Sequence, residues 1–366
     1  MTKIRVLHIA ECIGGVDRFL RYLIKYANHD KFENIMILSK LYEGKGYENL
    51  ADKVEITDIP HSMGVGALKA ALRIRKKIKK FNPDIVVAHS SIAGGITRIA
   101  CVGLKCKMIY NPHGWSFNME SSKKRMFIKI EKLLAHFCDK IVCISDAEKV
   151  SALRENICRK DKLQVIYNGT DLEECVIGKV DLPDDRFIVG MVGRICKQKA
   201  PDVFVKMAKE VKKQVDNAFF VIVGDVLEAT PEEKKEIKEQ AKDLGNDLCI
   251  TGWVDNPLDY VAKFDVGCLL SRWEGFGLAI PEYMMMGVPI VATRVDAIPY
   301  LITDGKNGYL VDKDDWQGAA TKVVELAEDE DKRNRMIENE IRTIKERFDA
   351  RRVSKEYEEV YEVLMG

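Results

Sequence analysis

Ser271-Arg272-Trp273-Glu274-Gly275-Phe276-Gly277-Leu278-Ala279-Ile280-Pro281-Glu282 follows directly on the apolar run 266–270. That run is a strand candidate of the continuously apolar kind found in buried parallel sheets. Pro281 is well tolerated only in the first turn of a helix, which puts a helix start near Leu278. The stretch therefore reads as strand, glycine turn, helix. Such a turn exposes backbone N–H groups at the positive end of a helix, where a phosphate docks. Glu274 and Glu282 flank it eight residues apart. Carboxylates accept hydrogen bonds from sugar and ribose hydroxyls while backbone amides hold a diphosphate. The residues alone leave two readings open: a nucleotide-sugar pocket, or a glycine-rich turn with two solvated glutamates.

The same alternation of β-branched runs with amphipathic stretches extends in both directions. Before residue 170 the strand-like runs are 4–10, 34–39, 54–59, 84–89, 107–111, 140–144 and 163–167, with helical patterns at 17–27, 66–81, 92–102, 121–138 and 146–154. After residue 186 the runs are 187–192, 218–223, 248–251, 266–270 and 289–292, with helices near 202–215, 232–244, 279–286, 317–327 and 331–348. Between them, acidic and turn-forming residues and Pro183 replace the periodicity. Two doubly wound parallel sheets are expected, over 1–170 and 187–349, joined by a linker at 171–186. Ligands belong beyond the carboxyl ends of the strands.

Composition agrees with two globular α/β domains. The chain has 366 residues, 46% hydrophobic and 31% charged, with 25 Gly and 10 Pro, which excludes a disordered, collagenous or disulfide-dense protein. Its formal net charge of +1 argues against a dedicated nucleic-acid binder, yet the total hides a polarity. Residues 1–180 carry 31 Lys and Arg against 20 Asp and Glu, and residues 181–366 carry 27 against 37. The first residues interrupt their apolar run with Lys3, Arg5 and His8, as a strand does and a signal peptide does not. No stretch approaches the ~18 uncharged apolar residues of a membrane span. The ten cysteines show no Cys-x-x-Cys pair and are expected as reduced, mostly buried thiols of a cytoplasmic protein.

Glu274 and Glu282, followed by Tyr283-Met284-Met285-Met286-Gly287-Val288-Pro289-Ile290-Val291-Ala292-Thr293, resemble the E-x7-E signature of family 4 of the retaining glycosyltransferases, which have the GT-B fold. Other blocks agree in order. Gly14-Gly15-Val16-Asp17-Arg18 resembles the family's glycine-pair loop, with Asp where Glu is common, and Pro112-His113-Gly114 its histidine loop. Asn168-Gly169-Thr170-Asp171 resembles the segment closing the first domain, Gly193-Arg194 with Lys199 the G-R-x4-K donor block, and Asp304-Gly305 through Gly308-Tyr309-Leu310-Val311 the closing block.

The resemblance implies two Rossmann-like domains facing a central cleft, an N-terminal one for the acceptor and a C-terminal one for the donor. The last helix, 350–366, is expected to return to the first domain. It also implies residue roles. Arg194 and Lys199 neutralise the departing diphosphate, Glu282 binds the nucleotide ribose, and Glu274 holds hydroxyls of the donor sugar. The backbone of Gly275, Phe276, Gly277 and Leu278 faces phosphate, and Gly14, Gly15 and Gly193 leave space for the diphosphate. A cation pair with a helix N-terminus stabilises leaving-group charge without a metal, so no metal and no further cofactor are expected. His113 reaches the donor sugar near the reaction centre, and His89 and Ser90 are candidate acceptor-side residues. Family members are thought to attack from the front face, the leaving phosphate itself taking the acceptor proton. The implied reaction is retaining transfer of a hexose-type sugar, from UDP by expectation, to a glycan acceptor carried on a polyprenyl lipid, in capsule or exopolysaccharide assembly. A nucleotide-sugar epimerase on the same fold and a non-catalytic glycan-binding subunit are the alternatives.

One departure stands out: after the strand 289–293 the family usually has a glycine pair and Pro-Glu, and here the run is Asp296-Ala297-Ile298-Pro299-Tyr300. Asp312-Lys313-Asp314 has the form of a metal-binding Asp-x-Asp, but its place ahead of a helix suits capping. Asn168-Gly169-Thr170 is a glycosylation sequon only in form, and no Walker phosphate loop occurs. In 66–81, Lys69, Arg73, Lys76 and Lys80 lie opposite Leu68, Ala71, Leu72 and Ile78. In 121–138, Arg125, Lys129 and Lys132 lie opposite Phe127, Ile130, Leu134 and Phe137. Either helix alone fits an apolar stripe packed inward with its lysines in water; both together in the acceptor half favour peripheral contact with anionic lipid on the inner face of the plasma membrane, each basic residue contributing about 1 kcal/mol.

Overall fold

The computed structural model describes residues 2–11, 14–40, 46–60, 64–119, 122–173, 177–226 and 231–366. It divides into two compact units, Met1–Asp171 with Asp349–Gly366, and Leu172–Phe348. Part of the expected linker, 174–176, and residue 121 at the start of an expected helix lie outside the described residues.

The first unit runs β1 (Ile4–Ala10), α1 (Gly15–Lys25), β2 (Phe32–Ser39), β3 (Lys53–Thr57), α2 (Val65–Phe81), β4 (Ile85–His89), α3 (Ser91–Cys101), β5 (Lys107–Asn111), α4 (Lys124–Leu134), β6 (Lys140–Cys143), α5 (Asp146–Arg154) and β7 (Leu163–Val165). Its seven strands are ordered β3-β2-β1-β4-β5-β6-β7 and each neighbouring pair is parallel. The order reverses between β1 and β4, so the loops after these strands open a crevice at their carboxyl ends. Strand residues on both faces are buried, as Val6, Leu7, Ile9 and Val86 to Ala88 show, because helices cover each side. One face packs α2 and α3 on the sheet through Ala70, Ile74, Ile78, Ile96 and Ala100.

The second unit continues with β8 (Phe187–Val192), α6 (Pro201–Lys212), β9 (Ala218–Val223), α7 (Pro231–Gln240), β10 (Leu248–Ile250), α8 (Leu258–Val261), β11 (Val266–Leu269), α9 (Ala279–Met286), β12 (Ile290–Thr293), α10 (Ile298–Leu301), β13 (Tyr309–Val311), α11 (Trp316–Glu328) and α12 (Glu330–Arg347). Its six-stranded parallel sheet is ordered β10-β9-β8-β11-β12-β13, reversing between β8 and β11. The residue that caps α11 is Asp315, which accepts the Gly318 N–H at 2.8 Å, one position after the Asp312-Lys313-Asp314 run for which capping was expected.

The last helix, α13 (Ala350–Met365), belongs to the first unit. It covers the other sheet face through Val353, Tyr357 and Tyr361 beside Phe19 and Leu23 of α1. The Asn111 amide donates to the Tyr357 hydroxyl at 2.5 Å, and the Ser354 hydroxyl donates to the Leu23 carbonyl at 2.9 Å. Asp171 is buried in this unit, where Lys25 and Tyr26 both donate to its carboxylate at 2.6 Å.

The fold divides both apolar stripes that helical spacing groups together. On α2 the buried face is Ala67, Ala70, Ala71, Ile74 and Ile78, whereas Leu68 and Leu72 are 65% and 62% exposed among the basic residues. Small alanines let α2 lie close to the sheet, and the larger leucines are turned outward. On α4 Leu134 is buried but Phe137, in the following turn, is exposed, and Glu131 takes an inward position because Arg98 pairs with it there. Among the described residues no helix is long and apolar enough to cross a membrane. The eight described cysteines are free thiols, four of them buried.

Candidate active site

In the second unit the loops after β8, β11 and β12 converge. The expected helix start is met: α9 begins at Ala279 with Leu278 as its cap, and Glu282 is buried in the first turn. The Lys199 ammonium donates to Glu274 Oε1 at 2.5 Å, and the Ser271 hydroxyl donates to the same oxygen at 2.7 Å. Residues 75 positions apart thus form one polar centre. The two loops are also tied along their backbones. Arg272 N–H donates to the Gln198 carbonyl at 2.8 Å, and the Gln198 amide donates to the Trp273 carbonyl at 3.1 Å. The Arg272 guanidinium is clamped by Asp202 and Asp314, at 2.6 and 2.7 Å.

Gly224 allows a close approach to the Gly193 backbone that fixes this loop. A Cβ on Gly224, at the end of β9, would stand 2.1 Å from the Gly193 carbonyl oxygen, and Gly224 has φ +141°. Only glycine fits there. Arg194 is exposed, its guanidinium 3.4 Å from the Gln198 side-chain oxygen. The structure thus brings Lys199 against Glu274 but holds Arg194 on the solvent side of the same loop. Phe276 is buried edge-on to Phe348 at 6.0 Å, so only its backbone is available to a ligand.

The run 296–300 acquires a role that its sequence did not show. Asp296 adopts φ +42°, and its carboxylate accepts the Glu274 N–H at 2.8 Å. A left-handed residue is needed at this turn, and Asp is among the few non-glycine types that tolerate it. The substitution of the usual glycine therefore keeps the turn and adds a hydrogen bond that holds Glu274.

In the first unit the expected residues lie on the loops after β1, β4 and β5, at adjacent carboxyl ends. Gly14 caps α1 with φ 61° and ψ −124°, a conformation closed to other residues. His113, at φ +50°, is half-buried: its N–H is accepted by the Asn111 side chain at 3.2 Å, and Phe19 packs edge-on against its ring at 4.8 Å. Glu148 was missed. Its carboxylate accepts the N–H groups of Gly114 and Ile144, the latter at 2.9 Å, and its carbonyl accepts the Trp115 indole N–H at 3.0 Å. Burial pushes this carboxyl up to about 8, against the two N–H groups that favour its charged form. The signal was Ser145-x-x-Glu148, the spacing of a capping box; the Ser145 hydroxyl does accept the Glu148 N–H at 3.2 Å, but the glutamate reaches across to the histidine loop.

His89 is corrected. It is fully buried, hydrogen-bonded to His8 on one side and His113 on the other, so it reaches no acceptor directly. Ser90, at φ +69°, donates its hydroxyl to Glu11. Among the described residues no group of three or more His, Cys, Asp or Glu is arranged to hold a metal ion.

Known proteins resemble this chain over most of its length. The family model described as Glycosyl transferases group 1 matches residues 176–343, and that described as Glycosyltransferase Family 4 matches residues 13–174. An "Uncharacterized 41.2 kDa protein in cps region" of Klebsiella pneumoniae is 30% identical over 88% of this chain and 88% of its own. The UDP-Gal:alpha-D-GlcNAc-diphosphoundecaprenol alpha-1,3-galactosyltransferase of Escherichia coli is 27% identical over 90% of this chain and 89% of its own. Among solved structures, Anabaena Alr3699/HepE in complex with UDP superposes with a TM-score of 0.81 at 21% identity, covering 99% of this chain and 100% of that one. The two parallel-sheet α/β units are those of the GT-B fold, and the chain belongs to the group 1, family 4 glycosyltransferases.

Proposed function

We propose that the protein is a retaining, metal-independent hexosyltransferase that takes a sugar from UDP and adds it to a glycan on a polyprenyl carrier during capsule or exopolysaccharide assembly. One observation carries the donor half: Lys199, Ser271 and Glu274 meet in a single polar centre beside the helix that bears Glu282. A cation, a row of loop amides and carboxylates are the groups that a sugar nucleoside diphosphate demands. Lys199, with Arg194, offsets the charge that grows on the leaving diphosphate. Glu274 holds donor-sugar hydroxyls, and Glu282 the ribose. The bond from the anomeric carbon to phosphate breaks as the acceptor oxygen attacks from the same face, and the leaving phosphate takes the acceptor proton. The relatives' names support the acceptor and setting: one acts on a diphosphoundecaprenol-linked sugar and another comes from a cps region.

UDP is expected to raise the melting temperature of the protein, and Glu282→Ala to abolish that rise while leaving the unliganded melting temperature within a few degrees. An undiminished UDP shift in Glu282→Ala would remove the proposed donor site. A panel of UDP, GDP and ADP sugars in the same assay, with product formation read only when acceptor is added, separates transfer from epimerisation.

The acceptor unit is proposed to rest on anionic lipid at the cytoplasmic face of the plasma membrane. Leu68 and Leu72 stand out of α2 between Lys69 and Arg73, and Met126 and Leu133 stand out of α4 beside Arg125 and Lys129. Exposed leucine among lysines inserts while the cations meet headgroups. Sedimentation with phosphatidylglycerol vesicles at low salt should carry the protein down, and Leu68→Asp/Leu72→Asp should leave it in the supernatant; equal sedimentation of the two removes this surface.

A further inference from the structure

β4 ends at His89 and α3 begins at Ser91, so Ser90 alone turns the chain from strand to helix. Its N–H still belongs to the sheet and donates to the Asn111 carbonyl at 3.0 Å, while its carbonyl already accepts the Gly94 N–H at 2.9 Å. The turn has no room to widen, because the start of α3 lies directly on β5: a Cβ on Gly94 would stand 2.2 Å from the Tyr110 ring. Ser90 is thereby held at φ 69° and ψ 165°. Glycine adopts this region freely, and any residue with a Cβ is strained there. Such strain persists where the surrounding structure over-determines it, and it gathers at ligand-binding sites. A glycine would relieve the strain but lack the hydroxyl, so the hydroxyl is the group whose role needs a physical account.

That hydroxyl donates to Glu11 Oε2. β1 and β4 are paired as far as Ile9 and Ala88, so Glu11 and Ser90 each stand two residues beyond this point, on adjacent strand ends. The strand order reverses between these two strands, and an open α/β sheet binds its ligands at such a switch point. Both side chains are half-buried, so a ligand can reach them. The histidine loop is adjacent: the Asn111 side chain accepts the His113 N–H at 3.2 Å, and His89, next to Ser90, bonds the His113 ring at 3.0 Å. With the serine proton committed to Glu11, the groups left over are all acceptors. They are the lone pairs of the Ser90 oxygen and Glu11 Oε1, which has no hydrogen bond to another described residue. Two acceptors side by side, one of them on a carboxylate, suit the hydroxyls or amide N–H of a neutral sugar ring and repel a phosphate.

We propose that Glu11 and Ser90 form the acceptor-sugar subsite, in which the Ser90 oxygen and Glu11 Oε1 accept hydrogen bonds from the glycan that receives the transferred sugar. This contact orients the acceptor and leaves its proton to the departing phosphate. That the ligand is a glycosyl acceptor rests on the proposed function; the strained turn and its hydroxyl do not.

The test uses the full chain, the donor sugar selected by the panel above, and GlcNAc, GalNAc, glucose and galactose each linked to undecaprenyl diphosphate as acceptors. Glu11→Ala should lower kcat/KM for the acceptor about 10–100-fold, the usual loss with a hydrogen bond to a charged group, and leave the UDP-induced thermal shift unchanged. Ser90→Ala and Ser90→Gly both lack the hydroxyl and should lower the same kcat/KM to a similar extent. They should differ in stability, Ser90→Gly melting a few degrees above Ser90→Ala, because only the alanine retains the strain. Equal melting temperatures overturn the strained turn. An acceptor kcat/KM in folded Glu11→Ala or Ser90→Gly equal to that of the unmodified protein overturns the subsite and leaves the proposed function in place. A raised kcat/KM in Glu11→Gln would set the acceptor's phosphates against this carboxylate and overturn the assignment to a sugar ring. No transfer by the unmodified protein to any of these acceptors removes the proposed function and the subsite with it, while the difference between the two Ser90 variants in melting temperature still stands.

Discussion

Lys199→Ala is expected to lower sugar transfer by about 10²–10³-fold, the usual consequence of deleting one preorganised group that stabilises developing charge. The ammonium sits 2.5 Å from Glu274 Oε1 with only 17% of its side chain exposed, so its field is little screened by solvent. In the proposed reaction charge on the diphosphate grows as the anomeric bond breaks, which would make the interaction stronger in the transition state than in the bound donor, and kcat should fall more than KM rises. Initial rates of nucleoside diphosphate release over a range of donor concentration measure both. Lys199→Arg retains the charge and should recover part of the rate. A rate within threefold of the unmodified protein for Lys199→Ala would remove this residue from the reaction.

Glu131→Ala is expected to cost about 3–5 kcal/mol of stability, because it strands a charge in the interior. Arg98 of α3 is fully buried. Its guanidinium donates to Glu131 Oε2 at 2.8 Å and to the Gly94 carbonyl at 3.0 Å, and it stacks 3.8 Å from the centre of the Tyr110 ring. These contacts join α3, α4 and β5. Without Glu131 the guanidinium keeps its desolvation cost and loses its counter-charge. Arg98→Met combined with Glu131→Leu should regain most of the loss, since a buried pair replaced by apolar groups of similar volume is often neutral. Urea midpoints at constant slope report both variants. A Glu131→Ala protein within 0.5 kcal/mol of the unmodified one, by the usual scatter of surface changes, would show that solvent reaches the guanidinium.

The two-sheet architecture and the strand, turn and helix that carry Glu274 and Glu282 were legible because each rests on short-range chemistry. Continuous apolar runs form buried parallel strands, and a glycine turn ahead of Pro281 starts a helix whatever lies elsewhere. Glu148 and Asp296 were not legible as site residues. Each acts through a hydrogen bond to a backbone N–H far away in the chain, at Gly114 and at Glu274, and such a partner leaves no mark in the local pattern. Helical spacing groups Leu68 and Leu72 with Ala71 and Ile78, yet in the fold Ala71 and Ile78 are buried and the two leucines are exposed.

Local sequence thus determined which segments become strands and helices, where the glycine turn ahead of α9 lies, and to which family the chain belongs. Its tertiary structure alone decided what His8 is. In the sequence it is a polar interruption of an apolar strand. In the fold, the order β1-β4-β5 sets it in line with His89 and His113, residues 81 and 105 positions further along. The physical reason is that a parallel sheet brings the ends of distant strands side by side. Burial then removes the water that would otherwise satisfy each ring, and the imidazoles bind one another.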